Sequence, residues 1–220
     1  SIKMESMNKS IKYRLRLVWA YKDVLRCHVP IISRKYVKNF RLSQIAAANL
    51  LKGKEILNVA FFLTNPGMWK CDFLFRAMKD SSKYHPYVVI YPYSTYKGFD
   101  KKEVSAALDR TRRFIEEKGF EYVIPFDEKH GKWLDVKKIL SPDIVFFSSP
   151  YKDHLPRYFV YHFRDILTCY VPYGFSSLKM YSVTYDLMFD NLVGLHFLET
   201  DIHRQLAAQY ARNKAENVVV

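Results

Sequence analysis

Residues 56–79 constrain the fold more than any other stretch of the chain. Their sequence is ILNVAFFLTNPGMWKCDFLFRAMK, and residues 56–63 are apolar except for Asn58. This run is too short for an ordinary helix and is rich in β-branched and aromatic residues, so it predicts a strand buried on both faces. Pro66 and Gly67 then end the strand, because proline cannot extend a ladder and glycine tolerates a tight turn. Apolar residues recur at helical spacing beyond the turn, which predicts a strand–turn–helix unit.

Strand and helix patterns alternate over the rest of the chain. Further strands are predicted at residues 87–93, 120–126, 144–149, 169–173 and 192–198, and a last one starts at residues 218–220. Helices are predicted between them at residues 101–118, 133–140, 156–167 and 200–213. Such alternation is typical of a parallel sheet with right-handed crossovers. We therefore expect an α/β fold, a three-layer Rossmann-like parallel sheet, over residues 55–220.

Residues 1–54 form a basic segment in front of this α/β body. They contain thirteen lysines and arginines against two acids, which is +11 of the chain's net charge of +13. Helical spacing predicts one amphipathic helix at residues 11–29 and a second at residues 33–51. Aromatic side chains among basic ones are typical of helices that lie at a membrane interface. We expect binding to an anionic membrane surface through Lys12, Arg14, Arg16, Trp19, Lys22, Arg26, Arg34, Lys35, Lys38 and Arg41. The apolar face of the second helix is predicted to consist of Val37, Phe40, Ile45, Ala48 and Leu51.

The charge of this segment leaves two other readings open. Positive charge attracts nucleic acid as well as lipid, and a noncatalytic α/β module with a basic arm would have the same composition. The amphipathic spacing and the absence of a nucleic-acid-binding motif favour lipid, so nucleic acid is the less favoured partner. No stretch approaches the ~20 apolar residues of a membrane span, and no signal peptide opens the chain. We therefore expect a cytoplasmic protein that associates peripherally with a membrane.

The cysteines and histidines do not predict a metal site. Cys27, Cys71 and Cys169 lie far apart without a CxxC pair, and the seven histidines show no ligand spacing such as HExxH. The cysteines are expected to be small buried side chains in a reducing compartment. A nucleophile elbow and a Ser–His–Asp order are also absent from the sequence.

Several predicted strands end in residues that could bind a ligand. The carboxyl ends of parallel strands meet at one edge of a sheet, where ligands of such folds bind. Backbone amides and a lysine suit a phosphate group, whereas tryptophan and tyrosine rings suit sugars. The predicted binding residues at this edge are Asn65, Pro66, Gly67, Trp69, Lys70, Tyr93, Tyr151, Tyr173 and Gly174. The alternative is that the aromatic side chains only pack the edge and that the first turn is an ordinary β-to-α connection.

Four stretches of the sequence resemble a known family. They are NVAFFLTNPGMWKCDFLFRAMK, HPYVVIYPY, DEKHGKWLDVKKILSPDIVFFSSPY and TCYVPYG, and the likeness covers roughly residues 56–220. They resemble the N-terminal half of the CDP-glycerol glycerophosphotransferase family, which is similar to teichoic-acid polymerases and capsule-locus glycosyltransferases. The resemblance implies a GT-B architecture, in which an N-terminal Rossmann-like domain receives the acceptor. A C-terminal domain would bind the nucleotide-activated donor, CDP-glycerol or a nucleotide sugar.

The resemblance implies a function in making a cell-surface polysaccharide or a teichoic-acid-like polymer. The chain would be the acceptor-side domain of a glycosyltransferase or glycerophosphotransferase, peripheral at the inner face of the plasma membrane. The edge residues would bind a lipid-linked or polymer acceptor. The donor domain of the same protein would follow Val220, so no cofactor is expected in this chain and the isolated chain is expected to be inactive. The family's proposed catalytic histidine, in a His-Gly pair, is replaced here by Tyr173 before Gly174. Tyrosine is a poor base at neutral pH, so the catalytic role does not transfer to it.

Overall fold

The computed structural model describes residues 28–92, 101–151, 155–175 and 180–220, together with Lys22, Leu25 and Arg26. Its strands are β1 (Leu57–Leu63), β2 (Tyr84–Ile90), β3 (Tyr122–Val123), β4 (Phe126–Asp127), β5 (Lys132–Trp133), β6 (Ile144–Phe147), β7 (Leu167–Tyr170), β8 (Leu195–Phe197) and β9 (Val218–Val219). Its helices are α1 (Pro30–Leu50), α2 (Asp72–Lys79), α3 (Lys101–Glu117), α4 (Val136–Leu140), α5 (Tyr181–Tyr185), α6 (Met188–Leu192) and α7 (Asp201–Tyr210). Short 3₁₀ turns occur at Leu51–Gly53, Pro66–Met68, Pro156–Tyr158 and Val160–Phe163.

Seven of the strands form one sheet in the order β3-β2-β1-β6-β7-β8-β9. All of its neighbouring strands pair in parallel. Strands β4 and β5 form a separate antiparallel hairpin. The strand order reverses between β1 and β6, which is the topological switch point of a doubly wound fold. The predicted α/β fold with a Rossmann-like parallel sheet is therefore confirmed.

Strand β1 is buried on both faces, as its sequence predicts. Ala60 and Phe62 contribute to one core, which also contains Phe40 of α1. Val59, Phe61 and Leu63 contribute to the other, on the side of α2 and α3. The alternation follows from the period of two in a strand, and apolar side chains on both faces place helices on both sides of the sheet.

Helix α1 packs against the sheet and is part of the fold. It has Pro30 in its first turn, where the missing N–H is not needed, and its Phe40 lies in the same core as Phe62 of β1. The predicted buried face is only partly right, because Ile45 is 45% exposed. The five residues that α1 buries form one stripe, which consists of Ser33, Val37, Phe40, Gln44 and Ala47. Two of these are polar, and apolar spacing alone does not identify them.

Other predicted elements differ in length or type. The predicted helix at residues 156–167 consists of two 3₁₀ turns. The predicted strand at residues 192–198 is shorter in the structure, where β8 spans Leu195–Phe197 and Leu192 ends α6, a helix whose five residues are all buried. A helix buried on every side has the same apolar run as a buried strand, so periodicity does not separate them. None of the helices in the described ranges is both long and apolar enough to cross a lipid bilayer.

Candidate functional site

The predicted binding residues that the structure describes lie at the carboxyl edge of the sheet. Asn65 follows β1, Tyr151 follows β6 and Tyr173 follows β7. Strands in a sheet are about 4.8 Å apart, so the turns after β1 and β7, which have β6 between them, are separated by roughly 10 Å. Tyr93 lies outside the described residues. The edge is shared, but its residues line separate depressions rather than a single cleft.

The turn after β1 borders a cavity of about 480 Å³, which we call the α3 cavity. Asn65 Oδ1 accepts a hydrogen bond from the Gly67 N–H at 2.8 Å, which closes a tight turn around Pro66. A side chain at Gly67 would approach this oxygen to 3.3 Å, so glycine fits the turn. The opposite wall is the first half of α3, including Glu103 and Arg110. The α3 cavity therefore combines an amide turn with one basic and one acidic side chain.

The ring of Trp69 packs against the aromatic core beneath this edge. Its ring centroid lies 5.8 Å from that of Phe61, 5.9 Å from Phe75 and 6.0 Å from Phe120. Its indole N–H donates a hydrogen bond to the Asp72 carboxylate. These contacts give Trp69 a packing role, which is the alternative raised for the edge aromatics. Lys70, the next residue, is exposed.

A second cavity, of about 280 Å³, lies beyond the ends of β7 and β8. We call it the tyrosine cavity, because its wall includes the side chains of Tyr151, Tyr170, Tyr173 and Tyr185. Gly174 and Phe175 also line it, and α5 and α6 close it on the side away from the strands. Three of the predicted binding residues, Tyr151, Tyr173 and Gly174, thus share this cavity.

Two buried titratable side chains line the tyrosine cavity. Asp190 on α6 is 4% exposed and His196 on β8 is 5% exposed. Burial, reinforced by the charge of Asp186, raises the pKa of the Asp190 carboxyl well above its usual range. Burial lowers the pKa of His196 to about 4. The His196 ring is therefore uncharged at neutral pH, and burial favours the protonated form of the Asp190 carboxyl.

One asparagine fixes the backbone at both of these positions. Asn217 Nδ2 donates to the Asp190 carbonyl at 2.8 Å, and the His196 N–H donates to the Asn217 carbonyl at 2.8 Å. Asn217 is itself buried, since only 2% of it is exposed. The side chains of Asp190 and His196 make no hydrogen bond to other residues in the part of the chain that the structure describes. Their hydrogen-bonding groups are thus available to a ligand.

Asp190 and His196 are not among the site residues predicted from the sequence. A signal was present, because Asp190 is a carboxylate within a run that is otherwise mostly apolar, MFDNLVGLHFL. Carboxylates are rarely fully buried without a reason, so such a position points to a site. The cavity itself depends on how α6 returns against the ends of β7 and β8, and this tertiary arrangement has no signature in the local sequence.

A third cavity, of about 320 Å³, adjoins the tyrosine cavity and shares Pro150, Tyr151 and Leu187 with it. His28 and Arg212 contribute basic groups to its wall. Arg212 Nε donates to Asp186 Oδ2 at 3.1 Å, while its Nη1 is buried without a partner among the described residues.

The predicted membrane-binding residues fall into three groups. Arg26 stacks on the rings of Tyr36 and Tyr161, and Arg41 donates to the Gly194 carbonyl at 2.6 Å and the Glu216 carbonyl at 2.7 Å, so both are engaged within the domain. Lys22, Arg34, Lys35 and Lys38 are exposed. Lys12, Arg14, Arg16 and Trp19 lie outside the described residues.

Comparisons with known proteins identify no relative. No protein-family model matches the sequence, and neither a curated protein nor a solved structure matches it. Among the described residues, no three His, Cys, Asp or Glu side chains come together as metal ligands would.

Proposed function

We propose that this chain is the acceptor-binding domain of a membrane-associated glycosyltransferase or glycerophosphotransferase that builds a cell-surface polymer. The observation that carries this proposal is the tyrosine cavity, an aromatic-lined pocket with two buried polar side chains at the carboxyl edge of a parallel sheet. Ligands of doubly wound folds bind at that edge, and aromatic walls with a few polar groups are typical of small-molecule sites. The resemblance to CDP-glycerol glycerophosphotransferases supplies the reaction class.

The proposed reaction joins an acceptor hydroxyl to a group carried by a nucleotide-activated donor. Within this domain the tyrosine cavity holds the acceptor and excludes water around its hydroxyl groups. Burial raises the pKa of Tyr170 far above its usual range, so its phenol stays protonated at neutral pH and can donate a hydrogen bond to an acceptor oxygen. The donor is proposed to bind a second domain of the same protein, which is why the chain alone is proposed to lack transfer activity.

Helix α1 supports the proposed position at the inner face of the plasma membrane. It contains no acidic residue, and its outer surface carries Arg34, Lys35 and Lys38. Ile31 and Leu42 lie on the same surface and are 82% and 56% exposed. Exposed apolar side chains between basic ones are typical of helices that lie in the interfacial region of an anionic bilayer.

A deletion and complementation experiment tests the proposed function. Deleting the gene in the source organism should remove a glycan or a glycerol-phosphate polymer from the cell surface, measured by compositional analysis of extracted surface material. The native gene should restore it. Tyr151→Ala, which truncates the wall of the tyrosine cavity, should restore less than a tenth of the polymer.

Phe126→Ala provides the matched control. Phe126 is an exposed aromatic residue on the hairpin next to β3, at the end of the sheet remote from β7 and β8. This variant should restore the native amount of polymer. A deletion strain with an unchanged surface would refute the proposed function, and equal complementation by Tyr151→Ala and Phe126→Ala would remove the tyrosine cavity from it.

A further inference from the structure

We propose that the tyrosine cavity binds an uncharged polyhydroxylated group, one sugar or one glycerol unit, with Asp190 and His196 as its hydrogen-bonding partners. This inference deepens the proposed function, since it names the chemical class of the acceptor unit. It also assigns a binding role to two residues on elements distant from the loops that carry Tyr151 and Tyr173.

Two buried polar side chains of the tyrosine cavity have no hydrogen-bond partner among the residues that the structure describes. Polar side chains with so little exposed surface usually have hydrogen-bond partners in folded proteins, so two of them facing one cavity without a protein partner point to a ligand. Asp190 and His196 both line the tyrosine cavity, and Asn217 holds the backbone of each in place. A ligand with several hydroxyl groups provides both donors and acceptors, and it would satisfy both side chains at once.

The charges around the tyrosine cavity favour an uncharged ligand. Burial raises the pKa of the Asp190 carboxyl well above its usual range and so favours the protonated form, which donates a hydrogen bond, while the neutral His196 ring has one donor and one acceptor nitrogen. No lysine or arginine is among the described residues that line the tyrosine cavity, and the Glu199 carboxylate lies at its wall. A phosphate or carboxylate placed there would be desolvated without a counter-charge, which is strongly unfavourable.

The neighbouring cavities provide a contrast. Arg110 lines the α3 cavity, and Arg212 and His28 line the third cavity. Basic side chains are thus present at both of these cavities but not in the described wall of the tyrosine cavity. The charge pattern assigns the uncharged part of a ligand to the tyrosine cavity.

The size and shape of the tyrosine cavity fit one small polyhydroxylated unit. A volume of about 280 Å³ lies just below the usual range for ligand pockets, so it accommodates one small unit rather than a polymer segment. Tyrosine and phenylalanine rings present flat apolar surfaces that complement the C–H faces of a sugar. The cavity therefore has apolar walls for the ring carbons and two polar side chains for the hydroxyl groups.

Binding of matched neutral and charged probes tests this inference. The 220-residue chain is titrated at pH 7 with glycerol and glucose, and in parallel with glycerol 3-phosphate and glucuronate. Binding is followed by the NMR signal of the His196 Cε1–H, assigned with His196→Gln. Each neutral probe should shift this signal and bind at least fivefold more tightly than its charged counterpart.

Variants of Asp190 distinguish hydrogen bonding from charge. Asp190→Leu should weaken the binding of glucose at least fivefold, because it removes the donor. Asp190→Asn should keep the affinity within twofold, because an amide also donates without carrying charge. Phe126→Ala, in the remote hairpin, should have no effect. If Asp190→Leu does not fold, the preference for neutral probes and the retention of binding by Asp190→Asn still decide the matter.

Several outcomes would overturn the inference. These are no shift of the His196 signal with either neutral probe, tighter binding of a charged probe than of its neutral counterpart, or unchanged affinity in a folded Asp190→Leu variant. The test requires no transfer reaction, so it is separate from the complementation experiment. Polyol binding with an unchanged cell surface would leave the inference standing and refute the proposed function. Preferential phosphate binding with a lost polymer would do the reverse.

Discussion

Gly194 occupies a position in the fold where no side chain fits. A Cβ atom there would lie 2.4 Å from Gln44 Oε1 and 2.8 Å from the Thr168 carbonyl oxygen. The Gly194 N–H also donates to Thr168 Oγ1 at 2.9 Å, so the backbone cannot move away without breaking this bond. Three elements, α1, β7 and the chain entering β8, meet at this point.

We predict that Gly194→Ala lowers the free energy of unfolding by about 1–3 kcal/mol, the usual effect of overpacking a close contact. Urea denaturation followed by circular dichroism measures the change. Gly53→Ala is the matched control, because no atom lies within 4 Å of a Cβ at Gly53. A Gly194→Ala variant as stable as Gly53→Ala would show that α1 and β7 do not pack as described.

Burial of His196 makes the stability of the domain depend on pH. The pKa of His196 falls from 6.5 to about 4 on folding, so the unfolded chain takes up the proton first as the pH decreases. The part of the free energy of unfolding that is linked to His196 is fully present above pH 6.5. It is lost as the pH falls toward 4, at about 1.4 kcal/mol for each pH unit.

We predict that the native protein loses about 3 kcal/mol of stability relative to His196→Phe between pH 7 and pH 4. Phenylalanine keeps a ring next to Tyr170, whose centroid lies 5.1 Å from that of His196, but it has no proton to gain. Asp190 titrates in both proteins, so its contribution largely cancels in the comparison. Chemical denaturation at several pH values measures the free energy of unfolding of both proteins. If it changed equally with pH in the two proteins, the lowered pKa of His196 would be contradicted.

At the level of elements, Gln44 shows how a polar residue anchors a helix to a sheet. Gln44 Nε2 donates to the carbonyls of Phe163, Arg164 and Ile166, and its Oε1 accepts from the Thr168 N–H and hydroxyl at 2.9 and 2.8 Å. Buried polar side chains with complete hydrogen bonding rigidify a core. Helix α1 is therefore fastened to the start of β7 by direction-specific bonds as well as by apolar contact.

The sequence predicted the elements better than it predicted their contacts. The existence of α1 follows from helical spacing, but its buried face includes Gln44. The five hydrogen bonds of the Gln44 side chain reach four residues that lie more than a hundred positions further along the chain. The parallel sheet follows from alternating strands and helices, and β1 from one dense apolar run. Periodic spacing of apolar residues predicts helices and strands, but it does not show which polar residues will form buried contacts. Those contacts depend on how the elements pack against each other.

The position of the candidate site was predictable from the sequence, but the side chains that line it were only partly so. The carboxyl edge was predictable, because parallel strands necessarily end together, and Tyr151 and Tyr173 were placed there correctly. Trp69 has the same chemistry and the same apparent position, but its ring packs against Phe61 and Phe75. His196 lies within the strand predicted at residues 192–198, but no site was predicted there, and Asp190 lies on α6, for which the sequence predicted no element. Which aromatic side chains face a cavity depends on the loops and helices that cover the edge.

At the scale of the whole molecule, α1 covers the face of the sheet opposite to α3. Phe40 of α1 packs in the core with Phe62 and Phe147, whereas Ile115 of α3 packs in the core on the other face. The outward side of α1 carries Ile31, Lys35, Lys38 and Leu42, and no acid occurs in the helix. The domain thus has an apolar and basic surface on one face, while its cavities open at the edge of the sheet.

We predict that the outer side of α1 docks on anionic membranes and that Lys35→Glu/Lys38→Glu weakens this docking at least tenfold. Each basic residue near such a surface contributes about 1 kcal/mol, and charge reversal replaces attraction with repulsion. Co-sedimentation with phosphatidylglycerol-containing vesicles measures binding, and phosphatidylcholine vesicles should bind little of either protein. Arg110→Glu/Arg113→Glu is the matched control, because it changes the net charge equally at exposed positions of α3 on the opposite face. Equal loss of binding in the two variants would mean that net charge, and not the surface of α1, governs the association. If neither variant lost binding, the membrane contact would have to be sought elsewhere in the chain, and α1 would serve only to cover the sheet.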